Sequence, residues 1–184
     1  MAAINIVAIL GFVITLLCCN PISSLIREKG KEENSQDKSY LVLLWIIFGA
    51  AFVARIIAAA VYKGNDTDMN CFLIWSQNVF DEGISKFYLS DSFHDYPPGY
   101  MYILYVVGAI RALFSWTWDS KASIVLTKLP AIIADMFTAY LIFKIASKRL
   151  KKSGAAFLSA VYLFCPMVIL DSAVWGQTDS VFTV

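Results

Sequence analysis

The chain carries five long apolar runs, and this feature constrains its fold more than any other. Each run is 17 to 23 residues long, and a helix needs about 20 apolar residues (range about 17–25) to cross the hydrocarbon core of a bilayer. Every run is therefore long enough to span a membrane. The runs cover residues 2–19, 40–62, 100–116, 122–143 and 154–170. We expect an all-α polytopic membrane protein.

Composition excludes several classes of protein. Hydrophobic residues make up 59% of the 184 and charged residues 16%, whereas soluble domains average about 45–50% and about 25%. These values exclude a soluble globular enzyme, a disordered chain and a nucleic-acid-binding protein. The net charge of +1 gives no overall field that would attract an anionic partner. Three of the four cysteines lie within apolar runs and none has zinc-site spacing, so we expect no disulfide framework and no metal site.

The first run, residues 2–19, has two interpretations. It is short enough for a signal peptide, but no Lys or Arg precedes it and no A-x-A cleavage site precedes Asn20. These two absences favour an uncleaved first spanning helix over a signal peptide, which remains the alternative.

Basic residues in the short loops predict the topology, because Lys and Arg collect on the cytoplasmic side. If all five runs cross, the better orientation puts seven basic loop residues inside and five outside. If residues 100–116 do not cross, nine lie inside and three outside. The cleaner count makes residues 99–118 an interfacial or re-entrant helix within a long outer loop, residues 63–121, and the tyrosines, tryptophans and Arg111 of this stretch suit that position. About four spans remain, at residues 2–19, 40–62, 122–143 and 154–170.

The outer loop has signals of order. Residues 68–82 predict a helix with Asp68 at its start and Gly83 just after its end. Phe72, Trp75 and Val79 recur at helical spacing and predict one buried face. Residues 88–99 predict a turn-rich stretch, because a double proline opposes regular helix. The chain ends at Val184 as another apolar run begins, so we expect residues 1–184 to be the N-terminal part of one larger membrane domain.

Three acids from separate parts of the sequence are expected at one membrane face. Asp68 lies near the start of the outer loop, Asp95 near the end of its turn-rich stretch, and Asp179 after the last predicted span. Such a group indicates a site for a hydroxyl, a cation or a polar lipid head group.

Three motifs carry a resemblance to a known family. They read NDTDMNCFLIW at 65–75, HDYPPG at 94–99 and VWGQTDS at 174–180. Together they resemble the GT-C superfamily of polytopic glycosyltransferases, and most of all bacterial relatives of the enzyme that adds the second mannose to GPI anchors. The resemblance covers roughly residues 40–184 and rests on an Asp seven residues before a Trp (Asp68 and Trp75), on the DYPP element and on Gln177-x-Asp179-Ser180. It also matches Asp135 to an acid of the next spanning helix.

The resemblance implies an inverting transfer of a hexose, with mannose favoured, from a polyprenyl-phosphate donor to a glycolipid or polysaccharide acceptor. It implies a multi-pass bacterial plasma-membrane enzyme with its site facing outside, and leaves divalent-metal dependence open. Asp68 would be the general base, and Arg111 and Lys128 are candidate cations for the leaving phosphate. Expected substrate-binding residues are Asp66, His94, Asp95, Arg111, Gln177 and Asp179.

Four alternatives stay open at this level. Asp68 is also a favoured helix cap, and Asp66 is its closest rival as the base. A transporter or flippase would instead use Arg55, Lys128 and Asp135 to line a pathway. Arg55 could alternatively form a structural ion pair with Asp135 or Asp171. The chain is also readable as an inactive fragment of a larger enzyme, and we expect it to have no transferase activity on its own.

Overall fold

The structure is a computed structural model that describes residues 39–89 and 93–184. The predicted span at 2–19, its signal-peptide alternative and residues 20–38 lie outside the described residues. The described chain is built from helices, which confirms the all-α prediction for this part. They are α1 (Ser39–Val61), α2 (Asp66–Glu82), α3 (Ile84–Phe87), α4 (Pro98–Leu113), α5 (Lys121–Ala146), α6 (Lys152–Leu163), α7 (Pro166–Ile169), a π-helical segment (Leu170–Trp175) and α8 (Asp179–Thr183).

Two described helices, α1 and α5, are long and apolar enough to cross a membrane. They coincide with the predicted spans at 40–62 and 122–143. A third span is present if α6 and the helical stretch Pro166–Trp175 are counted together. The structure thus has two or three helices that meet the length and composition of a membrane span.

The third of these departs from the prediction of one continuous span at 154–170. Helix α6 ends at Leu163, and the chain bends by 51° before Pro166–Trp175 continues. Pro166 has no amide hydrogen and disfavours helical backbone at Cys165, which is extended with φ −62° and ψ 120°. Proline therefore breaks the run, and its helical part reaches Trp175 rather than residue 170.

Helix α1 presents an apolar surface that the described protein leaves uncovered. Only 11% of its most apolar stretch is buried, and Trp45 is 77% exposed. Soluble monomers rarely expose a contiguous apolar surface of this kind. The exposed apolar surface of α1 is consistent with a membrane protein.

Small residues let α1, α5 and α6 approach closely. Ala51 of α1, Ala139 of α5 and Leu163 of α6 are fully buried in one cluster. Ser159 of α6 donates a hydrogen bond to the carbonyl of Ala139 at 2.8 Å. Small side chains and interhelical hydrogen bonds are what membrane helices use for association, because lipid gives them no hydrophobic driving force.

Helices α2 and α4 form a second packed unit. The face of α2 with Phe72, Trp75 and Val79 is buried as predicted, and it packs against α4 through Tyr100, Met101 and Leu104. Contact is close at Gly108, where an added Cβ would lie 2.2 Å from the carbonyl oxygen of Ser76. Glycine is the one residue that permits this approach of two helices.

Two predicted helix boundaries in this unit are wrong. Helix α2 begins at Asp66 instead of residue 68, although Gly83 caps its end as predicted. Helix α4 begins at Pro98, one residue before the predicted helix at 99–118, and ends at Leu113, short of the predicted end. A proline at the first helical position is compatible with a helix because that amide needs no partner there. At 16 residues, or about 24 Å, α4 is shorter than the hydrocarbon core of a bilayer.

Candidate functional site

Asn65, and not Asp68, caps the start of α2. The side-chain oxygen of Asn65 accepts hydrogen bonds from the backbone amides of Thr67 (2.9 Å) and Asp68 (3.2 Å). The capping alternative for the Asp68 carboxylate is therefore wrong. With the cap supplied by Asn65, the Asp68 side chain is available for other partners.

Asp68 bonds to the third motif across 109 residues of sequence. Its Oδ2 accepts a hydrogen bond from Nε2 of Gln177 at 2.7 Å and another from the indole of Trp175 at 3.3 Å. Among the described residues, no hydrogen bond is made to Oδ1. One oxygen of the carboxylate is thus held in place while the other stays open to a further donor.

Asp68 lines a cavity of about 210 Å³. This volume corresponds to about seven water molecules of the liquid and lies below the range for drug-sized ligands. The cavity therefore suits one small molecule or the small head of a larger one. Its lining residues are Thr67, Asp68, Cys71, Phe72, Trp75, Phe93, Asp95, Tyr96 and Gln177.

The lining combines two carboxylates and an amide with an aromatic wall. Asp68, Asp95 and Gln177 supply polar groups that bind hydroxyls. Phe72 and Trp75 contact each other edge to face at a centroid distance of 5.8 Å. The indole of Trp75 donates to the carbonyl of Phe93 at 3.1 Å, which fixes the ring. Polar groups beside rigid aromatic faces are the combination that recognises a sugar ring, whose edges carry hydroxyls and whose faces are apolar.

Tyr96 of the DYPP element ties the second motif to the third. Its hydroxyl accepts a hydrogen bond from Thr178 at 3.1 Å, and its carbonyl accepts one from Tyr88 at 2.8 Å. Burial has the largest effect and raises the pKa of Tyr96; the hydrogen bond from Thr178 is next and lowers it, and the charges of Asp179, Asp95 and Asp68 each raise it by less. The phenol therefore keeps its proton and acts as a neutral hydrogen-bonding group.

Cys71 lies at the cavity but is chemically quiet. Burial raises the pKa of its thiol, and the negative charges of Asp95 and Asp68 add to that effect. A thiol in these surroundings is a poor nucleophile, because the thiolate is the reactive form. Cys71 is thus a packing residue of the cavity wall.

The structure brings together only two of the three acids expected to converge. Asp68 and Asp95 share the cavity, whereas exposed Asp179 lines a separate and more open cavity of about 340 Å³ with Asp135 and Asp171. The prediction of a single three-acid site is therefore wrong for Asp179. The chain turns at Gly176 and again at Thr178, so Gln177 and Asp179 face different cavities although they are two residues apart.

The remaining predicted binding residues also lie outside the lining of the Asp68 cavity. Asp66 is 80% exposed and pairs with Lys63 at 2.9 Å. His94 packs at 4.2 Å between ring centroids against Phe87. Arg111 is buried and donates to the carbonyl of Leu73 (3.1 Å) and the hydroxyl of Ser76 (2.7 Å). Its guanidinium thus joins α4 to α2. The sequence resemblance predicts a contact with the leaving phosphate instead.

Lys128 is also engaged internally. Its ammonium donates to the carbonyls of Tyr62 (2.7 Å), Ala173 (3.0 Å) and Val174 (2.8 Å). All three of its donors are used, so it has none left for a leaving phosphate.

Asp135 and Arg55 form a buried polar cluster away from the Asp68 cavity. The Nε of Arg55 lies 3.4 Å from Oδ2 of Asp135, which decides between the two partners considered for Arg55. Ser172 and Ser180 each donate to Asp135 at 2.6 Å, and Tyr162 donates at 3.2 Å. A buried carboxylate bonded in this way is fully engaged in holding helices together.

An apolar groove of about 580 Å³ adjoins the cavity. Trp175 lines the groove while its indole bonds to Asp68, so this side chain lies between the two spaces. The lining of the groove includes one basic residue, Lys63, and one acidic residue, Asp171. The other lining residues are Tyr62, Gly64, Asn65, Met167, Leu170 and Val174.

Sequence reasoning missed several residues of this site. Trp175 and Tyr96 were available, since both stand inside the quoted motifs beside residues that were selected. Cys71 also stands inside a quoted motif, whereas Phe93 and Lys63 carry no such signal, because only the fold brings them to the cavity or the groove.

Residues of the types that bind metals are dispersed in the described part of the chain. Within residues 39–89 and 93–184, no three His, Cys, Asp or Glu side chains lie close enough together to hold a metal ion.

Comparison with other proteins gives no relative. No family model, no curated protein and no solved structure matches this chain.

Proposed function

We propose that this protein is a glycosyltransferase of the GT-C type that moves a hexose, with mannose favoured, from a polyprenyl phosphate to a glycolipid or polysaccharide. The observation that carries the proposal is the Asp68–Gln177 hydrogen bond, which assembles two distant motifs at a small polar and aromatic cavity. Asp95 of the second motif lines the same cavity. Three motifs selected for their resemblance to one family thus contribute to one space.

Asp68 is the proposed general base. The acceptor hydroxyl donates to Oδ1 of Asp68, which no described residue occupies, and the carboxylate takes the proton as the acceptor oxygen bonds to the anomeric carbon. The bond from that carbon to the phosphate oxygen breaks, and the polyprenyl phosphate leaves with the electron pair. Attack opposite the leaving group inverts the anomeric centre. Gln177 and Trp175 orient the carboxylate through Oδ2.

The other cavity residues are assigned to binding. Asp95 is placed to accept hydroxyl hydrogens of the sugar, and Phe72 and Trp75 offer ring faces to its apolar side. A preformed arrangement of this kind lowers the cost of orienting the substrate.

The apolar groove accounts for the lipid part of the donor. An isoprenoid chain requires an apolar surface that is reached from the bilayer, and the groove lies between the end of α1 and the stretch Met167–Trp175. Arg111 and Lys128 are committed elsewhere, so Lys63 replaces them as the proposed cation for the donor phosphate. It is 37% exposed and therefore able to move from Asp66 to a phosphate.

The transporter alternative is weaker. It requires Arg55, Lys128 and Asp135 to face a pathway, yet Arg55 and Asp135 are bonded to each other and Lys128 is bonded to backbone carbonyls, although Asp135 also borders the cavity that it shares with Asp171 and Asp179. We therefore favour the enzyme.

The proposed membrane arrangement has four spans, with the N-terminus and the cavity outside a bacterial plasma membrane. Single cysteines at Ser85 and Asp119 should both react with an impermeant thiol reagent in intact cells, whereas one at Ser153 should not, in a background without the native cysteines. Reaction at Ser85 with protection at Asp119 would mean that α4 crosses the membrane and would overturn this topology.

The function is tested by direct transfer. Membranes containing the protein, in its full-length context if the chain is longer than 184 residues, are incubated with polyprenyl-phosphate mannose or glucose labelled in the sugar. We expect labelled product, and we expect Asp68→Asn to reduce its formation by about 10²–10⁴-fold. Asp66→Asn is the matched control and should retain most activity, because Asp66 points to solvent. Absence of transfer from both donors, or equal activity of the two variants, would overturn the proposal.

A further inference from the structure

Lys128 stands at the meeting point of two helix ends. Its three bonds run to the carbonyl of Tyr62, just after the end of α1, and to those of Ala173 and Val174, at the end of the π-helical segment. The last carbonyls of a helix have no partner within it, and the helix dipole makes that end negative. Two such ends facing each other require a buried cation, and Lys128 provides it.

The chain continues from these two helix ends to Asp68 and to Gln177, the two residues joined by the 2.7 Å hydrogen bond. Asp68 lies six positions after Tyr62, and Gln177 lies three positions after Val174. One ammonium group therefore fixes the bases of both segments, whose tips meet in the 2.7 Å bond between Gln177 and Asp68.

Two glycines close this joint around the lysine. A Cβ on Gly64 would lie 2.1 Å from the carbonyl oxygen of Trp175 and 2.9 Å from that of Val174. A Cβ on Gly176 would lie 3.1 Å from Cε of Lys128. Both glycines also have positive φ, at 97° and 87°. The segments are thus packed backbone to backbone, and a displacement of one is transmitted to the other.

We propose that Lys128 is a positioning residue for the Asp68–Gln177 pair, holding the base at the angle that transfer requires. Its effect on catalysis rests on the proposed function, whereas its effect on the geometry of the pair does not. Lysine suits the position because three convergent carbonyls match the three donors of an ammonium, while the flat fork of arginine does not.

The geometry is measured without turnover. Asp68→Cys and Gln177→Cys are combined in a full chain without native cysteines, and a short bifunctional thiol reagent joins them. We expect efficient cross-linking in this pair and a reduction of about tenfold or more when Lys128→Met is added. Lys144→Met, an exposed lysine on the same helix, is the matched control and should leave cross-linking unchanged.

A second variant decides the matter if Lys128→Met does not accumulate. Gly64→Ala should push the Trp175 backbone away and reduce cross-linking. Gly83→Ala is its control, because Gly83 also has a positive φ of 87° but nothing within 4 Å of an added Cβ. Unchanged cross-linking in Lys128→Met, or equal losses in the two alanine variants, would overturn the proposal.

Activity then separates this inference from the proposed function. With wild-type cysteines and Asp68 present, Lys128→Met should lower kcat by about 10²-fold, the cost of misplacing a catalytic group by about 1 Å, with little change in the KM for acceptor. A fall in cross-linking in a protein that transfers no sugar would refute the glycosyltransferase but leave the positioning role intact. A fall in kcat with cross-linking preserved would refute the positioning role.

Discussion

Asp68 and Asp135 both accept hydrogen bonds from the stretch 172–180, yet their surroundings are opposite. Asp135 is completely buried and receives Arg55, two serines and a tyrosine. Asp68 is half-buried, accepts its hydrogen bonds through one oxygen and lines a cavity. A carboxylate with every bond made inside the protein stabilises a fold, whereas one with an open oxygen at a cavity is available for chemistry. The comparison supports a structural role for Asp135 and agrees with the proposed role of Asp68 as the base.

The largest expected effect on stability tests the structural half of this comparison. Asp135→Ala leaves the guanidinium of Arg55 buried without its counter-ion, and breaking such a pair costs about 3–5 kcal/mol. The variant should unfold at lower denaturant in detergent and accumulate poorly in membranes. The double variant Asp135→Ala with Arg55→Met should recover part of that loss, since no unpaired charge remains. A single Asp135→Ala protein as stable as the wild type would break the comparison.

A smaller effect is expected at the aromatic wall of the Asp68 cavity. Trp75→Phe keeps a ring but removes the hydrogen bond to the carbonyl of Phe93, at a cost of about 1 kcal/mol. We expect a raised KM with kcat less affected, measured by initial rates of transfer. Trp45→Phe, at an exposed position of α1, is the control and should change neither. A loss confined to kcat would mean that Trp75 acts on the base instead of on binding.

Cys71 reports on the charge of the cavity. The thiol pKa is raised by burial first and by Asp95 and Asp68 next, so Asp68→Asn should lower it and increase the thiolate fraction at pH 8. Alkylation of Cys71 in a background without the other cysteines should then be faster than in the same background with Asp68 intact, because the thiolate is the reactive form. Asp81→Asn, an exposed acid on the same helix, should leave the rate unchanged. A slower reaction in Asp68→Asn would contradict the electrostatics described for the cavity.

The smallest effect is expected at Asp66. Its pair with Lys63 is solvent-exposed, and such pairs contribute at most about 1 kcal/mol. Asp66→Asn should unfold within that margin of the wild type in the same denaturant titration. A loss as large as that of Asp135→Ala would show that the start of α2 depends on this pair rather than on the Asn65 cap.

The sequence predicts the helices best where the length of an apolar run or the spacing of its apolar residues is enough to define the helix. Two spans and the buried face of α2 follow from run length and from the spacing of Phe72, Trp75 and Val79. The predicted helix boundaries are wrong where a single residue, and not the length of the apolar run, determines where a helix begins or ends. Asn65 takes the cap from Asp68, and Pro166 bends the last predicted span.

The site is predicted in part. Asp68, Asp95 and Gln177 share one cavity, because the motifs that carry them are brought together by the fold. Asp179 and Arg111 are placed elsewhere by geometry that sequence spacing does not contain: a turn at Gly176 in one case and a tight contact between α2 and α4 in the other. Lys128 illustrates the same limit, since its three partners are backbone carbonyls and leave no signature among side chains.

The most direct test of the comparison measures activity and stability in the same two proteins, Asp68→Asn and Asp135→Asn. We predict that Asp68→Asn unfolds like the wild type but loses about 10²–10⁴-fold in kcat. Asp135→Asn should unfold more easily and yet keep kcat per folded molecule within about tenfold of the wild type, because it touches no reacting atom. Retention of more than about a tenth of the wild-type kcat by Asp68→Asn, short of the loss typical of a general base, would contradict the assignment of the base. An equal loss of kcat per folded molecule in both proteins would contradict the division between a reactive and a structural aspartate.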